Sequence, residues 1–168
     1  MIPEKGFDLI IKAFAAIKDK ERFRVIMSGG GPDRDRLLML TKELKLDSFI
    51  SFPGWVKKED LAKFFREAHI FILPKWWIEY SSVLLVEAMA HGLPCIVPRG
   101  GGLEWLVQKG ALTFKEDNVW KLTEQIEVLG SSTELRTKLA ESNLFKAKEL
   151  DYRKLSTSLE SIMQKATL

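Results

Sequence analysis

Glu79 and Glu87 stand on either side of the seven residues Tyr80-Ser81-Ser82-Val83-Leu84-Leu85-Val86, and Glu87 is the only charge in the run from Ser82 to Ala90. That run has the apolar density and length of a buried helix, with Ser81 or Ser82 as its natural N-cap. A carboxylate inside such a helix is costly unless it finds partners. Helical side chains lean toward the N-terminus, which aims Glu87 at the helix mouth, about 9 Å from Glu79 by helical rise. Two carboxylates facing one crevice suit recognition of hydroxyl groups on a sugar or ribose. The competing reading pairs Glu87 with a structural lysine or arginine and leaves Glu79 as an exposed loop residue.

A second chemical feature is backbone rather than side chain. Gly29-Gly30-Gly31 follows a β-rich run and precedes a helical one, so its N–H groups can approach an anion with no Cβ in the way. The triplet lacks the Gly-Lys-Ser/Thr of a P-loop and the third glycine of a dinucleotide fingerprint, and a plain strand-to-helix turn explains it equally well. Gly100-Gly101-Gly102 reads as an equivalent glycine loop after the fourth strand, and two such loops favour a phosphate-bearing ligand. Trp55-Val56 and Trp76-Trp77 each line a crevice or simply pack a loop. His69 and His91 are the only histidines and have no metal-ligand spacing, no serine sits in a nucleophile elbow, and Cys95 reads as a small core residue.

The elements that must position these groups follow from hydrophobic period. Phe7, Ile10, Ile11, Phe14 and Ile17 recur at helical spacing. Helices are also expected over Asp33 to Leu46, Lys58 to Ala68 and Ser82 to Ala90, and strands over Phe23 to Met27, Phe49 to Phe52, Ile70 to Leu73, Cys95 to Val97 and Ala111 to Phe114. Strands of this length alternating with helices predict βα units, hence a Rossmann-like α/β domain: three αβα layers around a parallel sheet. From Asn118 onward the pattern is helical only, over Val119 to Leu129, Thr133 to Lys148 and Tyr152 to Met163. The chain has no internal repeat, low-complexity stretch or long linker, and one domain over residues 1–168 is the economical reading.

Composition narrows the function classes. The 168 residues are 46% hydrophobic and 29% charged, which argues against disorder and disulfide scaffolds. A net charge of +3 from 26 basic and 23 acidic residues is too dispersed to advertise a nucleic-acid partner. The single cysteine excludes an internal disulfide and a Cys-rich zinc site. No apolar run approaches the roughly 18 residues that spanning a membrane needs, and Met1 to Gly6 does not read as a signal peptide.

Taken together, the motifs resemble the donor-binding, C-terminal half of the two-domain GT-B glycosyltransferases, in the retaining family 4 group. Pro3-Glu4-Lys5-Gly6 is similar to the family's P-E-K-G, Gly29 to Pro32 to G-x-G-P, Phe52 to Val56 to F-x-G-x-V, and Ile70 to Pro74 to V-F-V-L-P. Glu79 to Gly92 matches E-x7-E followed by A-M-A-x-G-x-P. Gly101-Gly102 resembles the start of a G-G-x-x-E segment in which Glu104 or Trp105 takes the glutamate's place. Tyr80-Ser81-Ser82 departs from the family's G-F-G or N-S-P.

The resemblance implies a nucleotide diphosphate sugar as donor and a hexose-type sugar transferred with retention. It assigns Lys5 and Glu79 the catalytic roles, Lys5 against the diphosphate and Glu79 on the transferred sugar, and gives Glu87 the ribose hydroxyls. Tyr80, Ser81, Ser82 and Val83, at a helix N-terminus, would face the phosphates. Gly29, Gly30, Gly31, Trp55 and Val56 would complete the donor site, with no metal and no cofactor. The family's first strand and its acceptor domain lie outside this sequence, so the segment is expected to bind donor and not to transfer sugar alone. A cytoplasmic location is expected, with membrane association through the acceptor half left open. A catalytically silent nucleotide-binding or interaction module, and a nucleotide-sugar epimerase of the same fold, are the alternatives.

Overall fold

The computed structural model describes residues 1–74, 82–115, 117–151, 153 and 156. A 3-10 turn over Pro3–Lys5 leads into helix α1 (Phe7–Ala16). Strand β1 (Val25–Ser28), helix α2 (Arg34–Glu43), strand β2 (Ile50–Gly54), helix α3 (Lys58–Glu67) and strand β3 (Phe71–Ile72) follow in order. Helix α4 (Val83–Ala90), strand β4 (Cys95–Pro98), helix α5 (Gly101–Val107) and strand β5 (Ala111–Phe114) complete the alternating part. Helices α6 (Val119–Ser131) and α7 (Thr133–Glu149) close the described chain. The expected helix over Tyr152 to Met163 falls largely outside the described residues.

Among the described residues all strand pairings are parallel, as the alternation predicts. They form two groups: β1 with β2, and β3, β4 and β5 in that order. Among the described residues no ladder joins the groups into the continuous sheet that the βα pattern suggests, because that pattern sets strand direction and says nothing of which strands become neighbours. A shared core unites them instead. Met27 of β1, Ile50 of β2, Ile96 of β4 and Phe114 of β5 are buried in one cluster with Ile11 and Phe14 of α1 and Leu122 of α6.

β4 shows how the layers arise. All four of its residues are buried, and they alternate between faces: Ile96 enters the cluster with α1 and α6, while Cys95 and Val97 enter a second with Leu85 and Met89 of α4 and Leu103 of α5. A strand covered on both sides reads as a continuous apolar run, which is why Cys95 to Val97 carries no polar residue. Burial pushes the Cys95 thiol up to about 12, opposed only in part by a contact from Asn143. β1 is different: Met27 is buried and Ile26 is 49% exposed.

One expectation is corrected. Gly100-Gly101-Gly102 is not an open loop but the start of α5, with Gly100 as its N-cap. Glycine is a poor helix former, so period and propensity both miss this helix. The carboxylate of Glu104 offsets the weakness by accepting the Gly100 N–H at 2.6 Å. Glu104 is therefore a cap for its own helix, and Trp105 beside it is 65% exposed, with Lys146 lying 5.3 Å from its ring centroid.

Candidate functional site

The carboxyl ends of β1 and β2 and the N-terminal segment converge on one region. Gly6 has φ 67, a left-handed conformation that suits glycine, and its N–H closes the turn onto the Pro3 carbonyl at 3.0 Å. That turn sets half-buried Lys5 at the entrance to α1. Gly31 has φ 135, and a Cβ on it would run into the backbone of Met1. The Met1 carbonyl accepts the Asp33 N–H at 3.2 Å, so the segment carrying Lys5 lies against the Gly29–Gly31 loop. The Gly29 N–H in turn donates to the Gly54 carbonyl at 2.6 Å, which ties this loop to the end of β2. Nothing lies within 4 Å of a Cβ built on Gly29 or Gly30, so their backbone faces open space.

Beyond β2, Trp55 is 83% exposed. It lines a cleft of about 380 Å³ together with Val56, Lys57, Lys63 and Phe64. Lys57 and Phe64 are additions that sequence reasoning missed; their signal was α3 beginning right after Val56, which brings its first two turns back over the loop.

α4 is capped as expected. Ser82 is buried, and its Oγ accepts the Leu85 N–H at 3.3 Å. Val83 is 76% exposed at the open end of the helix, and Glu87 lies on the same face one turn later, half-buried. The Glu87 carboxylate has no hydrogen bond or ion pair among the described residues, so the reading in which a structural lysine or arginine neutralises it finds no support there. Glu79, Tyr80 and Ser81, like Trp76 and Trp77, lie outside the described residues, and the distance between the two carboxylates is not part of the described geometry. Among the described residues, no group of three or more His, Cys, Asp or Glu is placed to hold a metal ion. Nor, among them, is any helix long and apolar enough to cross a membrane.

A glycine loop, a lysine-bearing turn and a serine-capped helix with an unpaired carboxylate, all in a parallel α/β domain, form the kind of edge at which open α/β sheets bind phosphorylated ligands. The model of the family "Glycosyl transferases group 1" matches residues 1–144, from the Lys5 turn through α7 as far as Leu144. The chain belongs to this glycosyltransferase family. Among curated relatives, D-inositol 3-phosphate glycosyltransferase from Corynebacterium glutamicum is 28% identical over 175 residues, covering 98% of this chain and 41% of the relative. Mannosylfructose-phosphate synthase from Agrobacterium fabrum is 32% identical over 108 residues, covering 59% of this chain and 24% of that protein. The chain therefore spans less than half the length of either. Among solved structures, sucrose-phosphate synthase from Thermosynechococcus elongatus superposes with a TM-score of 0.85 at 20% identity, over 99% of this chain and 43% of the other. Anabaena HepE in complex with UDP-glucose gives 0.83 at 19% identity, over 100% and 47%. At these identities the superpositions show the fold, a Rossmann-like half of GT-B type.

Proposed function

We propose that this chain is the C-terminal, donor-binding domain of a retaining glycosyltransferase and that its crevice takes a nucleotide diphosphate sugar. The observation that carries this reading is Glu87: a half-buried carboxylate with no partner among the described residues, on the same face as the exposed mouth of α4. Such a group is poised to accept hydroxyl protons from a ribose, and its desolvation is offset only when it does so. The relatives support the ligand class, since one solved neighbour holds UDP-glucose.

In this reading the anomeric carbon–oxygen bond to the diphosphate breaks while the acceptor hydroxyl oxygen bonds to the same face of the sugar and its proton passes to the departing diphosphate. Lys5 stabilises the charge gathering on the departing diphosphate, and the N–H groups at the start of α4, around Ser82 and Val83, add to it. With those cations and dipoles in place, no metal is required. Glu79, with Tyr80 and Ser81, is assigned from the sequence resemblance to the transferred hexose and to the phosphates. Gly29, Gly30 and Gly31 let backbone approach the donor closely, and Trp55 and Val56 flank the base. The acceptor binds to a second domain, so this segment holds donor without turning it over, and membrane association, where it occurs, is through that domain.

The test is a calorimetric titration of the folded chain with UDP, GDP and ADP sugars, followed by amide shifts at Lys5, Gly30 and Glu87. Saturable binding with shifts at these residues is expected. A folded chain that gives neither heat nor shifts, and whose melting temperature no nucleotide sugar raises, is a silent module instead.

A further inference from the structure

The amino ends of β3 and β4 carry a second concave surface, on the opposite edge of the strands from the glycine loop. A cleft of about 420 Å³ is lined by Arg66 from α3, His69 and His91 from the turns entering β3 and β4, and Thr133 and Arg136 from α7. Among the described residues no aspartate or glutamate lines it. Both histidines of the chain and two arginines thus surround one space in whose wall the described residues place no counter-charge.

Their hydrogen-bonding capacity is partly unspent. Arg136 donates to the Leu129 carbonyl and, at 2.8 Å, to Thr133 Oγ1, which fixes its guanidinium across the junction of α6 and α7. A guanidinium has five N–H donors, so its Nε–H stays available. Arg66 and His69 have no hydrogen bond or ion pair among the described residues. His91 is held in place by stacking on Phe65, with ring centroids 5.1 Å apart at 26°. α7, 17 residues long, opens at the cleft wall through Thr133, and its N-terminal partial positive charge adds to the same field. Leu93, Pro94 and Ala140 supply an apolar floor.

We propose that this cleft is a second anion site, taking the phosphate group of a phosphomonoester and distinct from the donor crevice. The four-residue strand β4 separates the two edges by about 13 Å, so one small ligand does not serve both. Two guanidinium groups and the Thr133 hydroxyl match a tetrahedral oxyanion, which takes bidentate and single contacts on separate oxygens. The apolar floor and the volume leave room for a small carbon skeleton on the ester.

The chain has two histidines and both line this cleft, so their imidazole C–H resonances report on it and on nothing in the donor crevice. Titration with inorganic phosphate at fixed ionic strength and pH should shift both sets saturably. Arg66→Ala should raise the midpoint roughly fivefold or more, as loss of a charge-assisted contact requires. Arg66 is exposed, so the variant keeps its fold, which circular dichroism checks. Vesicles of phosphatidylcholine with and without phosphatidic acid form the second arm: Arg66-dependent co-sedimentation with phosphatidic acid assigns the monoester to a lipid headgroup, and phosphate binding alone assigns it to a soluble ester. Shifts that are linear in phosphate or indifferent to Arg66→Ala, together with no Arg66-dependent vesicle binding, would overturn the site.

Discussion

At the carboxyl edge of the strands the shape is set by glycine backbone and side chains are left open: Gly31 accommodates Met1, Trp55 is 83% exposed, and Glu87 has no partner among the described residues. At the amino edge a side chain is committed to the fold. Asn143 of α7 is fully buried, and its Nδ2 donates to the carbonyls of Leu93 at 2.6 Å and Gly110 at 2.7 Å, pinning α7 to the entries of β4 and β5. The contrast teaches where each kind of polar group can reside. Those that must meet a ligand stay unpaired on a backbone frame, and the one that holds the frame spends its donors inside it, at the cost of leaving its own Oδ1 buried with no hydrogen-bond partner among the described residues.

The most damaging change should therefore strike the amino edge. A Cβ on Gly110 would overlap the Asn143 side chain amide. Gly110→Ala must expel that amide and leave the Gly110 carbonyl with only the Cys95 N–H at 3.3 Å and the Leu93 carbonyl with only the weak Cys95 Sγ–H, at about 3 kcal/mol or more with the overlap included. Asn143→Ala alone should cost about 2 kcal/mol, because the same carbonyls lose their shorter hydrogen bond and a buried side chain leaves a void. The two costs should not add. With Asn143 already truncated the new methyl has space, so the double variant should be more stable than the sum by at least about 1.5 kcal/mol in urea melts. Additive losses would show that Gly110 and Asn143 do not share one site.

Next comes the glycine frame of the carboxyl edge. Gly31→Ala places a side chain at φ 135 against Met1, and should cost about 2 kcal/mol while displacing the Lys5 turn. Gly30→Ala meets nothing within 4 Å and should leave stability within about 0.5 kcal/mol. If ligand phosphates approach this loop closely, Gly30→Ala still weakens nucleotide-sugar binding in the calorimeter. Affinity unchanged from the parent chain in both alanine variants would remove the loop from the donor site.

Glu87 draws the sharpest line between ligand-facing and fold-holding groups. Glu87→Gln keeps shape and removes charge, so melting should move by less than about 1 kcal/mol while donor affinity falls about tenfold. A large loss of stability with unchanged affinity would make the carboxylate structural.

How far the sequence foretold this arrangement depends on the kind of signal. Periodicity located the other helices and all five strands among the described residues, because burial on one face or two leaves its mark in every turn. The cap at Ser82 was legible for the same local reason. α5 was hidden, since two glycines open it and its rescue by Glu104 is a tertiary detail of one hydrogen bond. The convergence of His69 and His91 was also hidden: they lie 22 positions apart by number and share no spacing rule. They meet because each lies in the turn that leads into a strand and the two strands run parallel side by side, a juxtaposition that topology makes and local pattern does not. The Gly110–Asn143 fit depends on packing across 33 positions and leaves no local trace.

The smallest effect concerns charge next to the Lys5 turn. Burial alone would raise the Asp8 carboxyl on α1, yet the hydrogen bond from Lys12 at 2.7 Å and the nearby positive charges of Lys12 and Arg36 hold it below its ordinary 3.8. A group depressed in the folded state stabilises the fold above its unfolded pKa, and that contribution is lost as pH falls through the folded value. Lys12 is half exposed and the pair is an i,i+4 surface pair, so solvent keeps the contribution under about 1 kcal/mol. Lys12→Met should then lower stability slightly at neutral pH. The gap to the parent should begin to shrink as urea melts are carried below 3.8 and close once pH has fallen through the depressed folded value, because only then do both chains carry a protonated Asp8. A gap that persists unchanged into acid would mean that Lys12 acts otherwise than through the Asp8 carboxylate, and that this edge, too, commits a polar side chain to its frame.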